Sequence, residues 1–280
     1  MDNPPGRAAL DRGGKPEKLQ VQRAFSEAAG RYDLLAGLQR FVADRLIGRV
    51  AGASIDAEVV LDVGTGTGYC VARLRELCPA SQLMAVDLAE GMLHYVRRSV
   101  RPEARIWLVG GDAEALPFAD GSVDLIVSNL ALQWCPDPGA AFREFARVLR
   151  PNGCMFFSSF GESTLQELRE AWSRVDEHSH VNVFHTMDEL GMAMGTCGLD
   201  TLFLDKEDCV VEYPDVPSLM RELKGLGAHN VTANRPRHLV GKGVLARVIS
   251  AYRMAHSTAT GSIEASFEVI IGAAGRRRSR

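Results

Sequence analysis

Paired cysteines are missing from this 280-residue chain: the six present, at positions 70, 78, 135, 154, 197 and 209, are scattered and form no C-x-x-C unit. Such spacing offers neither a disulfide framework nor a zinc site, so a reducing, cytoplasmic setting and no metal are expected. Long apolar runs are missing too. No stretch approaches the ~20 residues that span a bilayer, and no apolar signal region follows the N-terminus, so neither export nor a membrane partner is expected. There is also no basic excess, since 32 Lys and Arg stand against 35 Asp and Glu for a formal net charge of -3. Nucleic acid calls for a strongly basic face, and none is expected as a partner. Any acidic partner must be met by a local patch. What remains, 46% hydrophobic and 24% charged residues, is ordinary globular composition.

Residues 1–16 are rich in Pro, Gly and charge and are expected to form a disordered leader, because little of their surface is apolar. Short β-rich runs then alternate with amphipathic stretches: Val59–Val63, Leu83–Asp87, Ile106–Val109, Val123–Val127 and Met155–Phe157. This is the rhythm of a parallel sheet, with helices on both faces and the strands' C-terminal ends gathered along one ligand-binding edge. Two helices expected at about 19–29 and 35–50 precede the first strand and are positioned to fold over that edge as a lid. From Ser163 onward helical stretches near 164–178, 186–197, 216–226 and 241–256 mix with strand-like 199–204 and 265–271. They predict cap elements near 163–198 and 214–258, with antiparallel strands finishing the sheet. One domain over 17–273 results, followed by a basic tail at 274–280 that includes Arg276, Arg277, Arg278 and Arg280.

The most informative segment is Leu61-Asp62-Val63-Gly64-Thr65-Gly66-Thr67-Gly68-Tyr69, a strand entering a glycine-rich turn that opens a helix. A dinucleotide fingerprint, G-x-G-x-x-G, requires its third glycine at position 69, where this chain has Tyr69. The spacing is G-x-G-x-G, the pattern of S-adenosyl-L-methionine enzymes. Asp62 argues the same way, because a carboxylate two residues before Gly64 repels a pyrophosphate and suits an ammonium and a sulfonium. Asp87 ends the second strand, where a carboxylate accepts hydrogen bonds from ribose hydroxyls; Leu88 follows it. Asp112 and Ala113 follow the third strand and are positioned to meet the adenine amino group. Taken singly, a glycine turn is often only a turn and a strand-end Asp often only a helix cap. Their shared order is what points to the cofactor. After the fourth strand, Asn129 and Leu130, then Gln133 and Trp134, border both the cofactor and an acceptor pocket, although Trp134 also suits plain core.

At this point the chain resembles a known family. Phe25-Ser26-Glu27-Ala28-Ala29-Gly30-Arg31-Tyr32-Asp33, Ser128-Asn129-Leu130 with Gln133-Trp134-Cys135, and Leu223-Lys224-Gly225-Leu226-Gly227-Ala228-His229-Asn230 are similar to segments of the malonyl-acyl-carrier-protein O-methyltransferases of biotin synthesis. The likeness covers roughly residues 20 to 273. The final strand departs from it, with Phe267, Ile270 and Ile271 where tyrosines are common, and the turn at 231–235 lacks an expected glycine.

The resemblance implies an α/β, doubly wound, Rossmann-like methyltransferase fold with a mostly parallel seven-stranded sheet, N-terminal lid helices and a helical cap insertion. It implies that S-adenosyl-L-methionine is the methyl donor and S-adenosyl-L-homocysteine the product. The acceptor it implies is the free carboxylate of an acyl-carrier protein bearing a malonyl thioester, giving the methyl ester that primes pimeloyl and biotin synthesis. Cofactor contacts are expected from Asp62, Gly64, Thr65, Gly66, Gly68, Asp87, Leu88, Asp112, Ala113, Asn129 and Leu130. Substrate contacts are expected from Tyr32, Gln133, Trp134, Arg221, Lys224, His229 and Asn230. Arg221 is the first choice for the malonyl carboxylate, since a guanidinium binds one bidentately. The surrounding basic segment, with Lys224, Arg235, Arg237, Lys242 and Arg247, suits an acidic carrier protein or merely forms a solvated face. No acid or base catalyst is assigned. Two alternatives stand: a methyltransferase of another small acid or a quinone, and a cofactor-binding assembly factor without methyl transfer.

Overall fold

The computed structural model describes residues 17–99, 105–178, 180–228 and 241–277. Two helices come first, α1 (Lys18–Leu35) and α2 (Gly37–Gly52). The core alternation follows as β1 (Val59–Val63), α3 (Tyr69–Leu77), β2 (Gln82–Asp87), α4 (Glu90–Ser99), β3 (Ile106–Gly110), β4 (Val123–Ser128), α5 (Pro138–Val148) and β5 (Leu149–Phe160). The chain continues through α6 (Gln166–Ser173), α7 (Met187–Thr196), β6 (Leu199–Tyr213), α8 (Val216–Gly225), α9 (Lys242–His256) and β7 (Ile263–Arg276).

The seven strands form one sheet in the order β3-β2-β1-β4-β5-β7-β6. Strands β1 to β5 are parallel, and β7 runs antiparallel between β5 and β6. The order reverses between β1 and β4, and the loops leaving these two strands open a crevice at the carboxyl edge, where sheets of this kind bind ligands. Central strands are buried on both faces: in β1, Val60, Leu61 and Val63 are each at most 1% exposed. One face packs against α2, α3 and the cap helices, the other against α5 and α7. Helix α5 shows why: Ala141, Phe142, Phe145 and Val148 fall on one stripe and are fully buried. Phe142 meets Phe157 of β5 edge-on, with centroids 5.4 Å apart, and burying each such ring is worth about 1.5–3 kcal/mol.

Three sequence expectations change. The segment near 186–197 is not part of the cap: Leu190 and Met194 of α7 join the core containing Phe142, beside α5 and β6. Strand β6 runs on past 204 to Tyr213, paired with β7 out to Tyr213↔Ile263. Its Asp205-Lys206-Glu207-Asp208 run hides the strand signal because β6 is an edge strand whose outer half faces water. The tail assigned to 274–280 begins later, since β7 extends through Arg276; Ala274 is buried, and the Arg276 guanidinium donates to the Leu149 carbonyl. Among the described residues no helix is long and apolar enough to cross a membrane.

Candidate functional site

The glycine turn leaves β1 with three left-handed residues, Gly64, Gly66 and Gly68, at φ +74°, +54° and +89°. Gly64 is required twice over, by its φ and because a Cβ there would lie 2.4 Å from that of Ala131. Two carboxylates shape the turn from below. Asp62, 1% exposed, accepts from Thr65 Oγ1 at 2.7 Å. Asp87 accepts from the Gly66 amide and the Ala89 amide, both at 2.8 Å. Burial lifts the pKa of Asp62 to about 7 and that of Asp87 to about 6, as expected where a carboxylate loses its water. Asp112 is held by the Glu114 amide at 3.0 Å.

At the end of β4 the backbone is strained. Leu130 has φ +48°, unusual for a branched side chain, and its amide donates to both the carbonyl and the hydroxyl oxygen of Ser158. Ser158 in turn donates to Asn129, whose amide nitrogen reaches the Gln39 carbonyl at 3.1 Å. Gln133 donates to the Leu130 carbonyl at 2.7 Å. Trp134 meets Phe25 of α1 edge-on at 5.2 Å.

Helix α1 roofs this crevice and is fixed along its whole length. Lys18 pairs with Asp112 and Glu114. Gln22 donates to the Leu88 carbonyl at 3.1 Å, and Ser26 accepts from the Gly91 amide at 3.3 Å. Asp33 accepts from Thr67 at 2.6 Å and from Tyr95 at 3.0 Å. The enclosed pocket, about 750 Å³ including its mouth, brings together Tyr32, Gly64, Gly66, Asp87, Leu88, Asp112, Ala113, Asn129, Leu130 and Trp134. An adjoining cleft of about 390 Å³ shares Tyr32, Gly64, Gly66 and Asn129 and adds Thr65, Gln39 and Arg40. The Gln39 side-chain oxygen is buried there without a partner among the described residues. Burial, together with Asp87 and Asp33, pushes the Tyr32 phenol well above its ordinary pKa, so it stays protonated and able to donate.

The remaining expected residues lie elsewhere. Asp62 sits beneath the turn, Gly68 starts α3 and Gln133 packs behind the pocket wall. Arg221 is exposed on α8, bonded to Ser218 of the same helix at 2.9 Å, and lines neither cavity of the crevice. Lys224, three residues further along the helix, borders a separate cavity under the cap. His229 and Asn230 lie outside the described residues, as do Arg235 and Arg237. Sequence reasoning missed Lys18, Phe25, Gln39 and Arg40. For Phe25 the aromatic spacing to Tyr32 on one helix was an available signal; the others depend on how α1 and α2 cross the sheet edge.

Residues 61–157 match the model of a methyltransferase domain. The malonyl-[acyl-carrier protein] O-methyltransferase of Methylococcus capsulatus is 46% identical over 91% of this chain and 92% of that protein. This chain belongs to the malonyl-[acyl-carrier protein] O-methyltransferase family. The member from Halorhodospira halophila is 42% identical, over 90% of this chain and 85% of its own length. Among solved structures, the YcgJ protein of Bacillus subtilis superposes with a TM-score of 0.61 at 19% identity, covering 84% of this chain and all of that one, which establishes the fold alone. The methyltransferase model spans β1 to the middle of β5 and takes in the glycine turn, Asp87, Asp112 and Asn129. Helix α1 and the cap lie outside that span.

Proposed function

We propose that this chain binds S-adenosyl-L-methionine under α1 and transfers its methyl group to the free carboxylate of malonyl-acyl-carrier protein, at the entry to biotin synthesis. The observation that carries the cofactor is the site's chemistry: a glycine cradle that a Cβ would fill, three carboxylates on successive strand ends and a buried, unpartnered Gln39 oxygen. Such acceptors suit ribose hydroxyls, an adenine amino group and an ammonium; a pyrophosphate would be repelled. Asp87 would hold the ribose, Asp112 the adenine while sharing its carboxylate with Lys18, and Gln39 and Arg40 the amino-acid end. The carrier-protein acceptor rests on the relatives' names and on their near full-length match.

Bound there, S-adenosyl-L-methionine would supply an electrophilic methyl to a carboxylate oxygen, the electron pair of the broken S–C bond remaining on sulfur and no proton being transferred. The malonyl carboxyl has a pKa far below 7 and arrives ionised, so no base is needed. Because cation and anion neutralise one another, the chain's task is positioning and exclusion of water. Helix α1 excludes water, and its fixation by Lys18 and Asp33 keeps the roof shut. The Leu130–Ser158–Asn129 network fixes the β4 side of the pocket wall beside the reacting groups. Tyr32 remains a neutral donor beside them.

Rates across an acceptor panel test this assignment. Malonyl-carrier protein should be used with a kcat/KM at least ~10-fold above malonyl-coenzyme A and free malonate, the advantage that a docking surface of complementary charge confers. Higher turnover of a free acid or a quinone would instead support another small-molecule acceptor.

The raised carboxyls predict opposite pH trends for binding and stability. Asp62 and Asp87 have folded pKa values of about 7 and 6, above the ordinary 3.8. The folded state therefore holds protons that the unfolded chain releases, and these two groups make the ligand-free protein less stable as pH rises from about 4 to 7. The cationic cofactor prefers the ionised forms, so its affinity should rise over the upper part of that window and fall by up to ~10-fold per unit below about pH 6. Asp62→Asn should gain in melting temperature over the wild type as pH increases from 5 to 8. A flat difference in melting temperature would show that Asp62 is ionised at its ordinary value.

A further inference from the structure

Between the cap helices lies a second cavity of about 650 Å³, distinct from the pocket under α1. Its walls are largely apolar, with Leu165, Leu168, Phe184 and Leu223 among them. Two stacked rings line it as well: the Trp172 indole lies on the His180 imidazole, with centroids 3.5 Å apart and planes 9° apart. Asp176 fixes that imidazole, both carboxylate oxygens lying 2.9 Å from Nε2. Lys224 is the one lysine or arginine among the described lining residues.

Two lines of contact make the cavities neighbours. Leu130, in the wall of the cofactor pocket, bonds to Ser158 of β5, and two residues further along that strand Phe160 packs on Phe184 at 5.8 Å. On the other side Gly227 lies hard against α1, where a Cβ would be 2.9 Å from the Ala24 carbonyl oxygen. Its neighbour Ala228 lines the second cavity, and Phe25, next to Ala24, lines the first. Lys224 thus stands in the last turn of α8, shortly before Gly227 and Ala228, where α1 and the second cavity come together.

We propose that this cavity is the acceptor chamber: it takes the malonyl thioester and the end of its pantetheine arm, with the planar thioester and amide groups against the Trp172–His180 stack and the carboxylate countered by Lys224. The proposal rests on the carboxyl-methyltransferase reading above. The lining favours an arm over a free diacid, whose two carboxylates would meet one lysine and no arginine among the described residues of a largely apolar wall. A flat aromatic pair receives flat polar groups on its face. A single cation at the rim of an apolar wall attracts the carboxylate and so fixes which end of the arm points to the cofactor.

The experiment uses the full chain with malonyl-carrier protein and with malonyl-pantetheine, which carries the arm without the protein. Lys224→Met and the cavity-filling Ala228→Phe should each lower kcat/KM at least ~10-fold on both substrates. Affinity for S-adenosyl-L-homocysteine, titrated calorimetrically, should stay within ~2-fold of the wild type, and Lys224→Arg should recover part of the rate. If Ala228→Phe does not fold, Lys224→Met decides alone. Wild-type rates in the folded variants would overturn the chamber, and so would a loss confined to the carrier protein, which would make these residues part of a docking surface. A wild-type enzyme inactive on both substrates would instead sink the carboxyl-methyltransferase reading, and the chamber with it.

Discussion

Gly64→Ala should abolish cofactor binding and lower the melting temperature by roughly 10 °C, on the basis of ~2–4 °C per kcal/mol for a domain of this size. Two costs add at this position. A side chain at φ +74° is in the left-handed region, which costs roughly 1–2 kcal/mol. The new methyl would also lie 2.4 Å from the Ala131 Cβ, an overlap that must push β1 and the β4 loop apart. Overpacking of that kind costs a further ~1–3 kcal/mol. The displaced loop carries Leu130, so the wall of the pocket moves with it. Gly66→Ala provides the contrast: its φ is +54°, but nothing lies within 4 Å of the built Cβ. Its melting temperature should fall much less, while cofactor affinity still drops because the methyl enters space shared by both clefts. Equal melting temperatures for the two variants would show that the contact with Ala131 relaxes freely.

The second large effect is expected at Asp87. Its carboxylate positions the Gly66 and Ala89 amides and faces the pocket, so Asp87→Ala removes both what shapes the turn and the acceptor proposed for two ribose hydroxyls. Hydrogen bonds to a charged acceptor are worth about 1.5–3 kcal/mol each, and calorimetric titration should show affinity for S-adenosyl-L-methionine falling at least ~10²-fold. Asp87→Asn should lie between, since one acceptor oxygen remains. Because burial raises this carboxyl to about 6, replacing it should not destabilise the ligand-free fold at pH 7 through loss of charge. A folded Asp87→Ala protein with undiminished affinity would remove Asp87 from the site.

The placement of these residues was legible in the sequence because it is set by local backbone: a strand, a turn of three left-handed glycines, and an acid at the next strand end. The parallel sheet was legible for the same reason, its strands being short apolar runs with period-independent burial. What escaped was whatever depends on tertiary neighbours. The charged half of β6 reads as a loop because only one edge of it is paired, and α7 reads as cap because its burial is decided by α5. The latch of α1, from Lys18 to Asp112, joins residues 94 positions apart. Arg221 and Lys224 show a signal that was present but not decisive. At about 100° per residue, Val216, Leu219, Met220 and Leu223 share one face of α8, with Lys224 flanking it and Arg221 well round the far side. Side-chain chemistry favoured arginine for a carboxylate, whereas helical phase favours lysine, and in the structure it is Lys224 that borders a cavity.

Intact-mass measurement of malonyl-carrier protein after incubation with this chain and S-adenosyl-L-methionine tests the central claim most directly. The carrier protein should gain the mass of one methyl group in place of hydrogen, the label should sit on the malonyl carboxyl, and mild base should remove it as an ester. S-adenosyl-L-homocysteine should accumulate in equal amount. Tight binding of the methyl donor, with the malonyl-carrier protein left unmodified, would contradict the account and mark the chain as a cofactor-binding protein that does not transfer the methyl group to this acceptor.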